Sequence, residues 1–223
     1  MQAAFFLLAA MGGYLLGSIP FGLVLTRVAG VGDIRQIGSG NIGATNVLRT
    51  GRKDLALATL LLDAGKAAAA LLLARAFADV TGLPAETQRQ IGLVAGAAAF
   101  VGHCFPVWLQ FKGGKGVATF FGVLFAGIWP LGVFAGLTWL AVATLFRYSS
   151  LAALSAAAVA LVMAIGGVAP DVATIIFTAV LTLLIFWRHS ANISRLLART
   201  EPKIGEKKDE TSLAAAEPPA PAE

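Results

Sequence analysis

Cysteine, histidine and charge are all scarce in this chain. One cysteine, Cys104, and two histidines, His103 and His189, stand among 223 residues. No disulfide framework is available, and no CxxC or Cys/His cluster has zinc spacing, so neither a metal nor a cofactor is expected. HExxH and GxSxG are absent, which removes the common signatures of zinc peptidases and serine hydrolases. Only 13% of residues are charged while 57% are hydrophobic, where a soluble domain carries about 25% and roughly 45–50%. With a mean hydropathy of +0.79, the chain reads as a polytopic membrane protein. Its net charge of +5 does not point to nucleic acid, because the basic residues are scattered between apolar runs and form no single patch. Anionic headgroups or phosphorylated small molecules are the expected partners.

What is abundant is apolar sequence in runs of membrane length. A helix needs roughly 20 mostly apolar residues to cross a hydrocarbon core of about 30 Å. Residues 1–26, 90–111, 148–170 and 172–187 contain no Asp, Glu, Lys or Arg, and 55–74 contains only Asp63 and Lys66. The stretch 116–146 is too long for one untilted helix, and Trp129-Pro130 breaks it near the middle. Read as two short helices, it brings the total to seven transmembrane helices in an all-α protein, with the N-terminus outside and the C-terminus cytoplasmic. This choice places every Lys and Arg except Arg75, Arg89 and Lys66 on the cytoplasmic side, as the positive-inside rule asks. Residues 1–204 form one membrane domain. Residues 205–223, ending AAAEPPAPAE, have the composition of a disordered cytoplasmic tail.

Three polar clusters then emerge on the cytoplasmic face. The first, GSGNIGATNVLRTGR at 38–52, contains GxGxxG but has no βαβ unit around it, so a dinucleotide site is rejected. Its glycines let backbone amides approach a ligand, Ser39, Asn41 and Asn46 offer neutral hydrogen bonds, and Arg49 can grip an anion. A tight turn with a snorkelling arginine is the plainer alternative. The second, GHCFPVWLQFKGGKGVAT at 102–119, lacks Walker A order. It still sets Lys112, Gly113, Gly114, Lys115 and Gly116 at a helix mouth, which suits an anion better than a mere anchoring flank. His103, at the end of a span, is as readily a hydrogen-bonded structural residue as a site residue. In the third, RHSANISRLLARTEPKI at 188–204, a continued helix would align Arg188, Asn192, Arg195 and Arg199 on one stripe, facing phosphate or lipid headgroups. Glu201 is placed to neutralise an arginine and order its loop. Asp63 and Lys66, at i and i+3 within a span, read as a paired intramembrane contact. The hydroxyls of Ser149 and Ser150 either join the site or cap a helix.

These clusters in this order, with YLLGSIPFG in the first span, closely resemble the bacterial acyl-phosphate:glycerol-3-phosphate acyltransferase family from about residue 13 to 204. The resemblance implies a multi-pass enzyme of the bacterial inner membrane whose active site faces the cytoplasm. It would move a fatty acyl group from acyl phosphate to the sn-1 hydroxyl of glycerol 3-phosphate, giving lysophosphatidic acid and phosphate. Membrane lipid and the soluble acyl-phosphate-forming enzyme are the implied partners. Ser39, Arg49, Lys115 and His189 become catalytic candidates. Asn41, Lys112, Gly113, Gly114, Gly116, Asn192 and Glu201 become binding candidates, to which the residue chemistry adds Asn46 and His103. Arg199 stands where the family leads one to expect glycine. The HxxxxD pair of the soluble-type glycerolipid acyltransferases is missing, so the leaving phosphate itself is the expected proton acceptor. A transporter of phosphorylated metabolites is the alternative of another class.

Overall fold

The computed structural model describes residues 2–169 and 171–206, and every regular element among them is helical. The tail expected at 205–223 falls almost wholly outside the described residues, as do Lys207 and Lys208. The uncharged N-terminal run makes α1 (Gln2–Gly17) and α2 (Phe21–Val28), separated by a break at 18–20 where Pro20 has no N–H to continue the ladder. After a loop and the short α3 (Ala44–Leu48) come α4 (Lys53–Val80) and α5 (Ala85–Cys104). Then follow α6 (Val117–Gly127), α7 (Trp129–Phe146) and α8 (Ser149–Met163), which runs into a π-helical turn at Ala164–Val168. The chain closes with α9 (Val172–Arg188) and α10 (Ser190–Leu197).

Lipid tails are as apolar as leucine, so burying apolar surface supplies little drive between membrane helices, and close packing must do the holding. Small residues make that possible. Gly13 and Gly17 lie on the backbone of α5 at Ala95 and Ala99, where any Cβ would collide, and Gly102 lies equally close to the Tyr14 carbonyl. Gly122 of α6 sits likewise against the Ala64 carbonyl of α4. Around these contacts Phe100, Phe120, Leu124, Leu131, Leu181 and Ile185 form a fully buried core shared by α5, α6, α7 and α9.

The stretch 116–146 does divide, with α6 ending at Gly127 and α7 starting at Trp129 with Pro130 in its first turn, where proline's missing donor costs nothing. Five helical stretches are long and apolar enough to cross a bilayer, and six if α9 and α10 count as one broken span. On length alone five or six of the seven expected crossings qualify: the 11 residues of α6 rise only about 16 Å, and the 17 of α9 qualify only together with α10. The C-terminal stripe is corrected as well: α9 and α10 are bent by 61°. The bend is local chemistry, since the His189 ring Nδ1 bonds the Ile185 carbonyl (2.8 Å) and the residue itself leaves helical geometry (φ −102, ψ 10). Arg199 lies beyond α10 in the left-handed region (φ 58), the conformation for which glycine would be favoured.

One end of the bundle carries the C-termini of α2, α5, α7 and α9 and the N-termini of α4, α6 and α8, so all three polar clusters meet there. Arg89 stands at the opposite end, where it joins Glu86, Asp171 and Thr174.

Candidate functional site

The first cluster folds on Asn46. This buried side chain donates from Nδ2 to the Ile34 carbonyl (2.7 Å) and accepts at Oδ1 from the Ser39 backbone N–H (3.1 Å) and hydroxyl (3.4 Å). Both ends of its amide therefore hold the loop. Gly38 adopts φ +58, and the Arg49 side chain passes within 2.8 Å of where its Cβ would be. Only glycine permits both the turn and the passing guanidinium. The exposed Ser39 hydroxyl lies beside it, and Asn41 Oδ1 is shielded from solvent with no hydrogen-bond partner among the described residues.

The second cluster is drawn back onto α5. Gly113 and Gly114 donate to the Cys104 and His103 carbonyls (3.1 and 3.0 Å). A Cβ on Gly113 would strike the His103 carbonyl, one on Gly114 the His103 ring, and one on Gly116, at φ +82, the Phe100 ring. Arg188 clamps the loop from the other side, donating from Nε to the Gly114 carbonyl (3.1 Å) and from a terminal nitrogen to that of Gly113 (2.9 Å). Its guanidinium also lies over the Phe105 ring at 5.2 Å. Lys112 stays on the exposed rim.

Lys115 joins the second cluster to the third. Its Nζ donates to Asn192 Oδ1 (2.5 Å), and Asn192 Nδ2 donates to Glu201 Oε1 (2.6 Å). The same oxygen accepts from Ser150 Oγ (2.6 Å), and Oε2 accepts from Arg195 Nε (2.7 Å). Burial pushes the Glu201 carboxyl up, but the hydrogen bonds from Ser150, Asn192 and Arg195 outweigh it and hold the group below its ordinary value. Burial lowers the Lys115 ammonium to about 8 despite Glu201, with Arg195, Arg49 and Arg188 adding like-charge repulsion. Arg49 of the first cluster thus lies within electrostatic range of Lys115. Tautomer follows partner at His189: a carbonyl on Nδ1 requires a proton there, leaving Nε2 unprotonated in the neutral ring.

The structure thus gathers Lys115, Asn192 and Glu201 in direct contact, with Arg49, Arg188 and His189 around them, and assigns Asn46 to loop architecture. His103 is buried beneath the glycine loop rather than open to it. The structural roles of Ser150 and Arg195 were not separable in sequence: Ser150 shares the signature of a helix cap, and Arg195 that of a headgroup contact. Asp63 and Lys66 do pair, at 2.7 Å. Among the described residues no three His, Cys, Asp or Glu side chains come together as metal ligands would. Beside the polar centre, α4 and α6 leave an apolar groove of about 570 Å³ lined by Leu60, Leu61, Ala64, Gly65, Ala118 and Phe121 among others. A basic, glycine-rich centre at one end of a membrane bundle, together with an apolar groove between α4 and α6, suits an amphiphilic phosphorylated substrate.

Comparison with known proteins agrees with this chemistry. Residues 7–199 match the family model described as glycerol-3-phosphate acyltransferase. A glycerol-3-phosphate acyltransferase of Maricaulis maris is 63% identical over 206 residues, covering 92% of this chain and 90% of that protein. One of Caulobacter vibrioides is 60% identical over 216 residues, covering 96% and 93%. Among solved structures, the crystal structure of PlsY (YgiH), an integral membrane glycerol 3-phosphate acyltransferase in its glycerol 3-phosphate form, superposes with a TM-score of 0.79 at 35% identity. That match covers 95% of this chain and 99% of the PlsY chain. A lysophosphatidic acid form of PlsY gives 0.78 at 36%, covering 90% and 95%. By this match over most of its length and by these relatives, the chain is a membrane acyltransferase and belongs to the glycerol-3-phosphate acyltransferase family.

Proposed function

We propose that the protein transfers a fatty acyl group from acyl phosphate to the sn-1 hydroxyl of glycerol 3-phosphate at the cytoplasmic face of a bacterial inner membrane. The observation that carries this reading is the direct contact of Lys115 with Asn192 beside the Gly113–Gly114 turn, which joins loops far apart in sequence into one centre for anions. Lys112, Lys115 and the loop amides bind the acyl phosphate and its developing charge, while Arg49, His189 and Asn192 position glycerol 3-phosphate. Ser39 and Asn41 order that pocket, and the α4–α6 groove takes the acyl chain.

In the chemical step the sn-1 oxygen attacks the acyl carbon, the bond from that carbon to the phosphate oxygen breaks, and phosphate leaves with the electron pair. Phosphate ionises with a pKa on the order of 6, so near neutral pH the leaving group can accept the hydroxyl proton, and the protein chiefly holds geometry. His189→Ala is then expected to impair glycerol 3-phosphate use yet retain turnover. Complete loss of chemistry with substrate binding intact would make His189 the base instead.

Seven crossings are part of the same reading: α6 and α7 form a hairpin in which the short α6 packs one face into the core through Phe120, Val123 and Leu124, so that the end of α9 returns to the cytoplasmic side. Transport of phosphorylated metabolites gains no support, because the charges within the spans, Asp63 and Lys66, pair with each other instead of lining a path. The deciding assay gives purified, detergent-solubilised protein labelled glycerol 3-phosphate with either acyl phosphate or acyl-CoA, beside Lys115→Ala and Arg49→Ala. Lysophosphatidic acid from acyl phosphate alone, lost in both variants, is expected; a folded preparation that makes none from either donor would refute the proposal.

A further inference from the structure

Below the glycine loop lies a charged network that the chemistry above leaves idle. Lys66 Nζ makes three contacts: the Ile19 carbonyl (2.6 Å), Asp63 Oδ1 (2.7 Å) and His103 Nδ1 (3.1 Å). All three residues with side chains in it are buried, at 2% exposure for Asp63 and 4% each for Lys66 and His103. The Ile19 carbonyl belongs to the break between α1 and α2, where the Phe21 N–H of a tight turn (3.1 Å) stands in for the donor four residues on that a continuous helix would supply. Lys66 therefore fastens three elements at one point: the broken first span, α4, and the end of α5 from which the loop departs.

The protonation pattern follows. An ammonium has three donors and no acceptor; charged against Asp63, Lys66 gives an N–H to His103 Nδ1, which lies nearer to Nζ (3.1 Å) than to Asp63 Oδ1 (3.6 Å) and so serves as the acceptor. The neutral ring then carries its proton on Nε2, and this is the edge that meets Gly114, whose Cβ, if it had one, would collide with Nε2. Gly114 is thus set by the His103 ring beneath it, by its N–H to the His103 carbonyl (3.0 Å) and by Arg188 above (3.1 Å).

We propose that Lys66, held by Asp63, is a positioning residue for the anion-binding loop: it fixes the His103 ring in the tautomer protonated at Nε2 and seats that ring under Gly114. The proposal rests on the loop's assigned role in holding a phosphorylated substrate. A mere intramembrane ion pair would need only Asp63 and Lys66, and would leave the histidine tautomer and substrate affinity unaffected.

Two measurements test it. With only two histidines in the chain, 15N-histidine NMR of the detergent-solubilised wild type, assigned with His189→Asn, reads each tautomer directly. His103 is expected bare at Nδ1 and protonated at Nε2, opposite to His189. Kinetics then use Asp63→Leu/Lys66→Met, which removes both charges so that neither is stranded, with Asp63→Asn as a milder second variant. The KM for either acyl phosphate or glycerol 3-phosphate is expected to rise roughly tenfold while kcat stays within about threefold. A His103 protonated at Nδ1 in the wild type, or unchanged KM for both substrates in a folded variant, overturns the proposal. Wild-type protein that forms no product would instead refute acyl transfer, leaving the tautomer to decide the network.

Discussion

Lys115 stands half-buried, bonded to Asn192, with the guanidiniums of Arg49, Arg188 and Arg195 near enough to repel its charge. Burial and that repulsion together bring its ammonium down to about 8. In the empty site the proton is held below that pH and lost above it, and an anionic substrate needs the charged form. The expected outcome is a kcat/KM that falls as pH rises through about 8, since that ratio reports groups of the free enzyme. Lys115→Arg keeps its charge over the same range, so whatever activity it retains should lack this alkaline limb in a pH–rate profile. Glu201 works from the other side of Asn192. Its carboxylate accepts from Ser150, Asn192 and Arg195 at once, and by binding Nδ2 it keeps Oδ1 of Asn192 turned toward Lys115. In Glu201→Gln one acceptor oxygen becomes a donor, leaving a buried partner unpaired at a cost of about 1–3 kcal/mol. Thermal melting of the solubilised protein should show this loss.

Between elements, the contacts that decide packing are those where a side chain is missing. Gly17 meets the backbone of Ala99, whereas Gly12, on the same helix, has open space around it. Gly17→Leu is therefore expected to force α1 away from α5 and destabilise the protein by about 1–3 kcal/mol or more, while Gly12→Leu should melt like the wild type. A pair of equal melting temperatures would refute the packing account. The same logic explains the glycine loop: Gly113, Gly114 and Gly116 each lie where a Cβ would strike α5 or its carbonyls, so their first duty is to let the loop fold back onto the helix. A sequence shows that glycines are clustered; it does not show what presses against them. The apolar runs and the break at Pro130 were readable because they depend on neighbours in sequence. The 61° bend at His189 was not, since it arises where the residue leaves helical geometry while its imidazole shares the Ile185 carbonyl with its own backbone N–H.

Across the whole molecule the arrangement is polar at one end and apolar along its flanks, with Leu7, Leu61, Phe125, Leu137 and Leu183 among the large side chains left exposed for lipid. The orientation proposed for it has a direct test. Cys104 is buried and should resist membrane-impermeant thiol reagents, so single cysteines can report sidedness. With seven crossings, Gln2→Cys is expected to react from outside intact cells and Ser194→Cys only after the cytoplasmic face is opened; labelling of both from one side would give an even number of crossings and refute the proposed topology.

Composition and run length by themselves determined the solvent: too few charges for a soluble domain, apolar segments of bilayer length, and basic residues other than Lys66 confined to what lies between them. The motifs, being local, also named the family and most of the residues that meet at the site. Only the tertiary structure decided how those residues divide the work. It spent Asn46 on its own loop, set His103 on Lys66 beneath Gly114, and made Glu201 the shared acceptor of Ser150, Asn192 and Arg195. Those pairings span from 6 residues, between Arg195 and Glu201, to 51, between Ser150 and Glu201, and which donor reaches which acceptor depends on contacts at an ångström scale that no spacing along the chain encodes.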